Sequence, residues 1–332
     1  MNPDRRRFLG CLGAAALPAE AYEFPALLRG DLAAFADRVV ARHGLDEARV
    51  RELLLGARFL PAVLRSMAAP GTARPWKVFR PGYVNRQRID GGVSFWRDSE
   101  PLLARTREVF GVPEELVVAI LGVETVYGRS TGGHRVLDAL VTLGFEGQNR
   151  PAYFQSELEE FLLLARDGVI DPVTARGSYA GAMGWPQFMP SSLRRLGFDL
   201  DGDGHVDLWG SPADIVGSVA NYFRQHGWRP GEDVVLRASV ADPKEAEGLV
   251  SLGIKPVAGR RDLEVRGVIT ERPLRGDEQG ALLIFEADTG PEYWVALDNF
   301  YVITRYNRSQ NYALAVWQLA QAIAMQWRSR SI

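Results

Sequence analysis

Apolar residues recur with a helical period over most of the first 230 residues. Two apolar stripes, from Leu32 to Val40 and from Val50 to Ala57, predict helices within residues 24–68. The same spacing predicts helices from Gly91 to Val109 and from Tyr153 to Ala165. This part of the chain is therefore expected to be helical.

From Asp233 the period becomes alternating, which is typical of half-buried strands. The alternation, interrupted by Gly- and Pro-rich turns, predicts four strands: Val234–Val240, Leu263–Ile269, Ala281–Ala287 and Tyr293–Leu297. A final helix carries Tyr312, Val316, Leu319 and Ile323 on one face. The predicted fold class is α+β, mostly α-helical, with a small antiparallel sheet.

Two segments rich in glycine and proline separate the helices. Residues 69–88 interleave Arg with Trp76, Phe79 and Tyr83, and we expect a loop that either lines a sugar-binding rim or covers the first helices. Residues 177–192 combine glycine and proline with aromatics and methionines, which predicts a rigid buried loop. Such loops commonly surround a substrate, although a purely structural turn has the same composition.

The segment from Val117 to Gly128 places a carboxyl group on an apolar helix face. Glu124 follows Leu121 by three residues and Ile120 by four, so it shares their face. A carboxyl group in apolar surroundings has a raised pKa, which is what a general acid requires. The alternative is a buried glutamate paired with an arginine, and this helix alone favours that alternative.

Residues 199–207 resemble an EF-hand calcium loop. Aspartates occupy positions one, three and five, Gly204 occupies position six, and Asp207 occupies position nine. Position twelve is Gly210 where such loops have glutamate, so Asp214 is a candidate for the missing ligand. The alternative is a solvated acidic turn. The candidate metal residues are Asp199, Asp201, Asp203, His205, Asp207 and Asp214.

The amino terminus has the pattern of an export signal. A basic stretch at Arg5–Arg7 precedes an apolar run to Leu17 and a cleavage-like Ala19-Glu20-Ala21. The Arg-Arg-x-Phe-Leu order resembles a twin-arginine signal, with Sec export as the rival, and too few apolar residues precede Cys11 for a lipoprotein site. We therefore expect a periplasmic, soluble protein without disulfides or a transmembrane segment. The net charge of −2 argues against general nucleic-acid binding.

Four segments, in this order, resemble the lytic murein transglycosylase B family: GVETVYG, GSYAGAMGWPQFMPSS, DLDGDGHVDLWGSPADIVGSVANYF and DNFYVITRYNRSQNYALAV. The resemblance extends from about residue 24 to the end. It implies a lysozyme-like core with a small β insert. It also implies cleavage of the β-1,4 bond between N-acetylmuramic acid and N-acetylglucosamine in peptidoglycan, leaving a 1,6-anhydro end.

The resemblance also implies roles for individual residues. Glu124 matches the single catalytic acid/base, and Ser178 and Gln187 match residues that contact the N-acetylmuramoyl sugar. The other matches line the groove: Tyr222, Tyr306, Asn307, Arg150 beside Asn149, and Phe79 in place of a tyrosine. No cofactor is implied for the chemistry, structural Ca²⁺ is implied for the Asp199 loop, and we expect a monomer that contacts peptidoglycan strands and cell-wall synthesis proteins.

The predicted organisation has five parts: an export signal (1–21), a helical region with a groove-lining loop (22–110), a lysozyme-like core with the EF-hand-like loop (111–232), a β subdomain (233–308) and a C-terminal helix that packs on the core (309–332).

Two other functions remain open at this point. A hydrolytic muramidase would need a second carboxylate, for which Asp138 and Glu146 are candidates. A non-catalytic, calcium-dependent wall-binding protein would keep the aromatic loops and use Glu124 structurally.

Overall fold

The computed structural model describes residues 28–68 and 74–330. The predicted export signal at residues 1–21, with Cys11, lies outside the described residues. Within the described ranges, every helix is too short or too polar to cross a membrane.

Helices form most of the structure. In chain order they are α1 (Leu28–His43), α2 (Glu47–Leu55), α3 (Pro61–Ala68), α4 (Trp76–Tyr83), α5 (Arg86–Phe110), α6 (Glu114–Thr125), α7 (Val136–Phe145), α8 (Pro151–Arg166), α9 (Pro190–Leu196), α10 (Pro212–Gln225), α11 (Pro243–Val250), α12 (Arg260–Val265), α13 (Asp298–Tyr306) and α14 (Gln310–Arg330).

The strands form two small antiparallel sheets. They are β1 (His134–Arg135), β2 (Arg176–Gly177), β3 (Val235–Val240), β4 (Val268–Thr270), β5 (Ala281–Ala287) and β6 (Gly290–Ala296). The larger sheet has the order β4-β3-β6-β5, and the short pair β1–β2 aligns His134 with Gly177. The pair therefore joins the segment after α6 to the start of residues 177–192, the glycine-rich loop.

Helix α6 is apolar on all sides and is correspondingly buried. Every residue from Leu116 to Val123 is buried, and α5, α10 and α14 pack around the helix. The helix begins directly after Pro113, with two acidic residues in its first turn. Its carboxyl end, which carries Glu124, reaches the edge of this core.

Two further cores support the first. Helices α1–α3 bury the predicted Leu32 and Val50 stripes against α7 and α8, together with Met183 and Phe188 of the glycine-rich loop. A smaller core lies between the larger sheet and helices α11 and α12. The C-terminal helix α14 packs on α5 and α6, so residues near the end of the chain contact the centre of the fold.

The predicted α+β, mostly helical class is confirmed, and strand β5 has the predicted bounds. The prediction of a strand over Leu263–Ile269 is wrong in its first half, because α12 extends through Val265. The Asp262 carboxylate accepts the Gly259 amide at the helix start (2.9 Å), and this local contact favours a helix over the alternating pattern. Helix α11 was not predicted.

The loop predicted over residues 69–88 is also wrong in part, since α4 spans Trp76–Tyr83 and α5 begins at Arg86. Trp76 and Phe79 share one face of α4 and are 2% and 3% exposed. Trp76 packs edge-on against Phe285 of β5, with ring centroids 5.1 Å apart. Burial of this face therefore outweighs the cost of Pro81 inside a short helix.

Candidate active site

Glu124 is the next-to-last residue of α6 and remains partly exposed. Its Oε1 accepts a hydrogen bond from the Tyr312 hydroxyl of α14 at 2.5 Å. Within the described residues, this hydroxyl is its hydrogen-bond partner and no basic side chain forms an ion pair with it. The alternative of a glutamate paired with an arginine is therefore not what the structure contains.

Burial of this carboxyl raises its pKa to about 7, and the Tyr312 hydrogen bond opposes part of that rise. Near neutral pH the group is therefore poised between its acid and carboxylate forms. Because Tyr312 donates to Oε1, the neutral form carries its proton on Oε2. One oxygen is thus held by the protein while the other carries a transferable proton.

Four tyrosines surround the carboxyl. The charge on Glu124 is one of the causes that raise the pKa of each of them: Tyr83, Tyr222, Tyr306 and Tyr312. Burial is the largest cause for all four, so their hydroxyls stay protonated at physiological pH. They therefore do not compete with Glu124 for its proton.

Two of these tyrosines are fixed by backbone carbonyl groups. Tyr306 donates to the carbonyl oxygen of Pro186 at 2.6 Å, and Tyr222 donates to that of Arg305 at 2.6 Å. Their ring centroids are 4.6 Å apart, and Tyr222 is 7% exposed whereas Tyr306 is partly exposed. The structure thus places Tyr222 beneath Tyr306, which presents the accessible ring.

The glycine-rich loop is anchored directly to the end of α6. The Thr125 hydroxyl donates to the carbonyl oxygen of Trp185 at 3.0 Å and accepts the Gly128 amide at 3.0 Å. A Cβ on Gly128 would lie 2.2 Å from the Trp185 ring. Only glycine allows this close approach, which brings the loop against the Glu124 end of the helix.

Ser178 and Gln187 are partly exposed and are both oriented by the loop itself. The Ser178 hydroxyl oxygen accepts the amides of Ala180 and Ala182 at 3.3 and 3.0 Å. The Gln187 side-chain amide donates to the carbonyl oxygens of Thr131 and Gly184 at 3.0 and 2.9 Å. The serine proton and the glutamine Oε1 remain for a ligand, so each residue offers one polar group in a fixed direction.

The other predicted groove residues have different environments. Arg150 is exposed and its guanidinium lies 4.1 Å from the centre of the Tyr153 ring, while Asn149 is exposed beside it. Asn307 ends α13 directly after Tyr306 and is partly exposed. These positions leave their polar groups accessible.

The prediction that Phe79 lines the groove requires correction. Phe79 is 3% exposed and stacks beneath Tyr83, with ring centroids 4.5 Å apart. Tyr83 is partly exposed and lies close enough to Glu124 to be affected by its charge. The ring that faces the site is therefore Tyr83, which lies one helical turn further along α4.

The Asp199 loop brings together three of its six predicted metal residues. One carboxylate oxygen from each of Asp199, Asp201 and Asp203 lies within 4.8 Å of the others. Backbone hydrogen bonds, chiefly from Gly204, lower the pKa of Asp199, so this carboxyl is ionised. A cluster of carboxylate oxygens fits a hard cation such as Ca²⁺.

The other three predicted metal residues do not join this cluster through their side chains. Asp214 is 1% exposed and its carboxylate accepts the amides of Leu200 (3.0 Å) and Asp207 (2.8 Å), so it closes the base of the loop. Asp207 accepts the amides of Trp209 and Gly210, and the exposed His205 side chain stays apart. The assignment of Asp214 as a replacement ligand therefore stays a prediction.

A family model described as a transglycosylase SLT domain matches residues 28–321. The chain belongs to this family. It is 44% identical over 301 residues to the membrane-bound lytic murein transglycosylase B of Escherichia coli (strain K12), which covers 88% of this chain and 82% of that protein. The resemblance inferred from the four sequence segments is thus confirmed.

Solved structures of this family have the same fold. The soluble lytic transglycosylase SltB1 from Pseudomonas aeruginosa matches with a TM-score of 0.84 at 45% identity, over 91% of this chain and 100% of that chain. The Escherichia coli lytic transglycosylase Slt35 in complex with calcium matches with a TM-score of 0.80 at 43% identity, over 89% of this chain and 92% of that chain. The lysozyme-like architecture expected from the sequence is therefore shown.

Sequence reasoning missed two residues of the candidate site. Tyr312 was predicted only as part of an apolar helix face, and Tyr83 only as an aromatic in a loop. A tyrosine on an otherwise aliphatic face was the available signal for Tyr312, because a buried hydroxyl needs a partner. Its partner is 188 residues away in sequence, so only the fold identifies it.

We predict that Glu124→Gln stabilises the folded protein at alkaline pH. The pKa of Glu124 is raised on folding, so the stability associated with its neutral form is lost as pH rises from about 4.5 to about 7. Glutamine keeps the neutral shape, and the variant should gain roughly 3 kcal/mol in free energy of unfolding at about pH 8.5. Urea unfolding of both proteins at several pH values measures this difference.

The exposed Glu264→Gln variant serves as the control, with little change expected across the same range. A constant difference between wild type and Glu124→Gln from about pH 5 to about pH 8.5 would show that Glu124 titrates normally.

Proposed function

We propose that this chain is a lytic transglycosylase of peptidoglycan that uses Glu124 first as general acid and then as general base. The bond cleaved is the β-1,4 linkage between N-acetylmuramic acid and N-acetylglucosamine. The observation that carries this proposal is a single desolvated carboxyl with a pKa of about 7, held by Tyr312 at the end of α6. No other acidic group among the described residues contributes to that pKa shift.

The reaction begins with the neutral form of Glu124. Its Oε2 proton transfers to the glycosidic oxygen as the bond from that oxygen to C1 of the muramoyl sugar breaks. The N-acetyl group of that sugar supports the positive charge that develops at C1. Tyr312 stabilises the carboxylate formed, because its hydroxyl already donates to Oε1.

The second step uses the sugar's own 6-hydroxyl. The Glu124 carboxylate takes its proton while O6 attacks C1, which closes the 1,6-anhydro ring and restores the neutral acid. Attack within one molecule has a high effective concentration, so no bound water and no second carboxylate are needed. The chemistry uses these side chains and the substrate alone.

The remaining site residues are proposed to bind the glycan. The Ser178 hydroxyl and the Gln187 Oε1 would contact the muramoyl sugar, whereas Tyr306 and Tyr83 offer rings for sugar faces. Asn307 and Arg150 offer accessible polar groups further along the groove. Tyr222 would act from below by supporting Tyr306.

The two carboxylates considered for a hydrolytic mechanism have other roles. Asp138 is 5% exposed, forms a salt bridge with Arg135 and accepts the Arg58 amide at 2.9 Å. Glu146 ends α7 and lines a cleft with Leu64 and Arg65 that does not include Glu124. A retaining or inverting hydrolase needs its second carboxylate across the scissile bond from the acid, so this arrangement favours the transglycosylase.

Export to the periplasm is part of the proposal, because the substrate lies there. The pattern of residues 1–21 supports it. Fractionation of expressing cells, with and without residues 1–21, would test it, and equal cytoplasmic retention of both forms would contradict it.

We predict that digestion of purified peptidoglycan by the protein without residues 1–21 releases muropeptides that end in the anhydro ring. Mass spectrometry distinguishes them, because each lacks one water relative to the hydrolysis product. Glu124→Gln should lose turnover by a factor of roughly 1,000 or more while glycan binding survives. Glu115→Gln, on the same helix, is the matched control and should retain activity.

Full-mass reducing ends would instead identify a muramidase. Binding without any released product would identify a wall-binding protein, and either outcome would overturn the proposal.

Tyr312→Phe is predicted to shift the pH profile. Activity of the wild type should fall as pH rises above about 7, because Glu124 must start protonated. Removing the hydroxyl removes the contact that lowers the pKa, so the alkaline limb of kcat/KM should move to higher pH, with a loss of roughly tenfold in kcat. An unmoved limb would show that Tyr312 does not set the acidity of Glu124.

We also propose that the Asp199 loop binds structural Ca²⁺, which the calcium complex of the relative Slt35 supports. Asp199, Asp201 and Asp203 would hold the ion through their carboxylates, with no part in the chemistry. Ca²⁺ should therefore raise the melting temperature of the wild type but not of Asp203→Asn, which can still accept the His205 amide.

Asp288→Asn, at an exposed position, is the control for loss of charge and should respond to Ca²⁺ like the wild type. The calcium assignment fails if Ca²⁺ does not shift the wild-type melting temperature, or if Asp203→Asn responds equally.

A further inference from the structure

The chain turns sharply in a left-handed conformation immediately after Glu124 and Thr125. Val126, Tyr127 and Gly128 all have positive φ, at 52°, 58° and 79°. This region is unfavourable for residues with a side chain, and most of all for a β-branched one such as Val126. Such a turn persists only where surrounding contacts enforce it.

The Tyr127 side chain supplies those contacts. Its ring lies in a slot between α5 and α6 whose walls are the glycines Gly91, Gly92 and Gly122. A Cβ on Gly122 would lie 2.4 Å from the Tyr127 hydroxyl oxygen, and one on Gly92 would lie 2.6 Å from it. The slot therefore fits this ring only because its walls lack side chains.

Hydrogen bonds close the slot at its far end. The Tyr127 hydroxyl donates to the carbonyl oxygen of Arg88 at 2.6 Å. The Arg88 side chain in turn donates through Nε to the carbonyl oxygen of Gly122 at 3.0 Å, near the end of α6. Arg88 therefore connects the tyrosine to the helix whose last turn carries Glu124.

The same ring connects to the glycine-rich loop. Phe95 of α5 stacks on Tyr127, with centroids 5.9 Å apart, and also contacts Trp185 at 6.1 Å. Trp185 is the residue whose carbonyl oxygen accepts the Thr125 hydroxyl. Both sides of the left-handed turn are thus fixed, one by α5 and one by the loop that carries Ser178 and Gln187.

We propose that Tyr127 is a positioning residue of the active site: by holding the left-handed turn at residues 126–128, it sets the direction of Glu124 relative to Tyr312 and the glycine-rich loop. This inference rests on the proposed transglycosylase function for its kinetic consequence. Among the described residues, only Tyr312 forms a hydrogen bond with the Glu124 side chain. The direction of that side chain therefore also depends on the backbone conformation next to it. The proposed role of Tyr127 involves no contact with the substrate.

Two variants test the proposal, one by removing a group from Tyr127 and one by adding a group to the wall of its slot. Tyr127→Phe removes only the hydroxyl that bonds to Arg88, and Gly122→Ala places a methyl group against that hydroxyl. Both should lower kcat by roughly 10- to 100-fold with KM within about twofold of wild type, because a shift of the order of 1 Å in a catalytic group has that effect. The assay temperature stays well below each variant's melting temperature.

Hydrogen exchange provides a readout that does not depend on activity. In both variants, exchange should accelerate in peptides covering residues 121–130, where the Tyr127 amide bonds to Leu121 and the Ser130 amide to Thr125. Tyr293→Phe, in strand β6 of the larger sheet, is the matched control for the lost hydroxyl. Gly30→Ala, at a helical glycine of α1 with open space around it, is the control for the added methyl group. Both controls should match the wild type.

The outcomes separate the two proposals. If the wild type cleaves peptidoglycan and Tyr127→Phe retains its kcat, the positioning role is overturned. A loss of kcat with unchanged exchange over residues 121–130 also overturns it. If the wild type does not cleave at all, the proposed function fails by itself, and unchanged exchange in both variants would then overturn the role of Tyr127.

Discussion

The hydrogen bond from Tyr312 to Glu124 is the interaction on which the site depends. A carboxyl at the edge of an apolar core is costly when ionised, and no cation among residues 28–68 and 74–330 compensates that cost. One neutral donor reduces that cost without removing the rise in pKa, which leaves the group near 7. An arginine in the same place would have produced a permanent ion pair and a poor acid.

The fold brings three distant parts of the chain to this point. Helix α6 supplies Glu124, α14 supplies Tyr312, and the loop between β2 and α9 supplies Ser178 and Gln187. Side-chain hydroxyls that donate to backbone carbonyl oxygens connect these parts: Thr125 donates to Trp185, and Tyr306 donates to Pro186. Rigid elements therefore set the site, and the polar groups left over face a ligand.

The sequence was most informative where residues depart from the pattern of the segment in which they lie. A carboxyl on an apolar helix face identified Glu124, and glycine and proline among buried aromatics identified the loop with Ser178 and Gln187. In both cases the anomaly lies within about a dozen residues, so periodicity and composition reveal it.

Predictions from the sequence failed where the deciding contact joins residues far apart in the chain, or where a local capping contact stabilises a helix in place of a strand. Tyr312 gains its role from a hydrogen bond to Glu124, and Tyr83 lies close enough to Glu124 to be affected by its charge. Phe79 loses its predicted role because it is buried beneath Tyr83. The alternating pattern from Leu263 predicted a strand, but the capping contact at Gly259 starts helix α12 there instead.

Titration of the Glu124 side-chain carboxyl is the most direct test of its assignment as a desolvated acid. Carbon-13 NMR of the protein labelled at glutamate side chains would follow the signal that disappears in Glu124→Gln. We expect the titration curve of this signal to have its inflection near pH 7. An inflection near the ordinary value of about 4.5 would contradict it, because an acid of that strength would be ionised at neutral pH and unable to protonate the leaving oxygen.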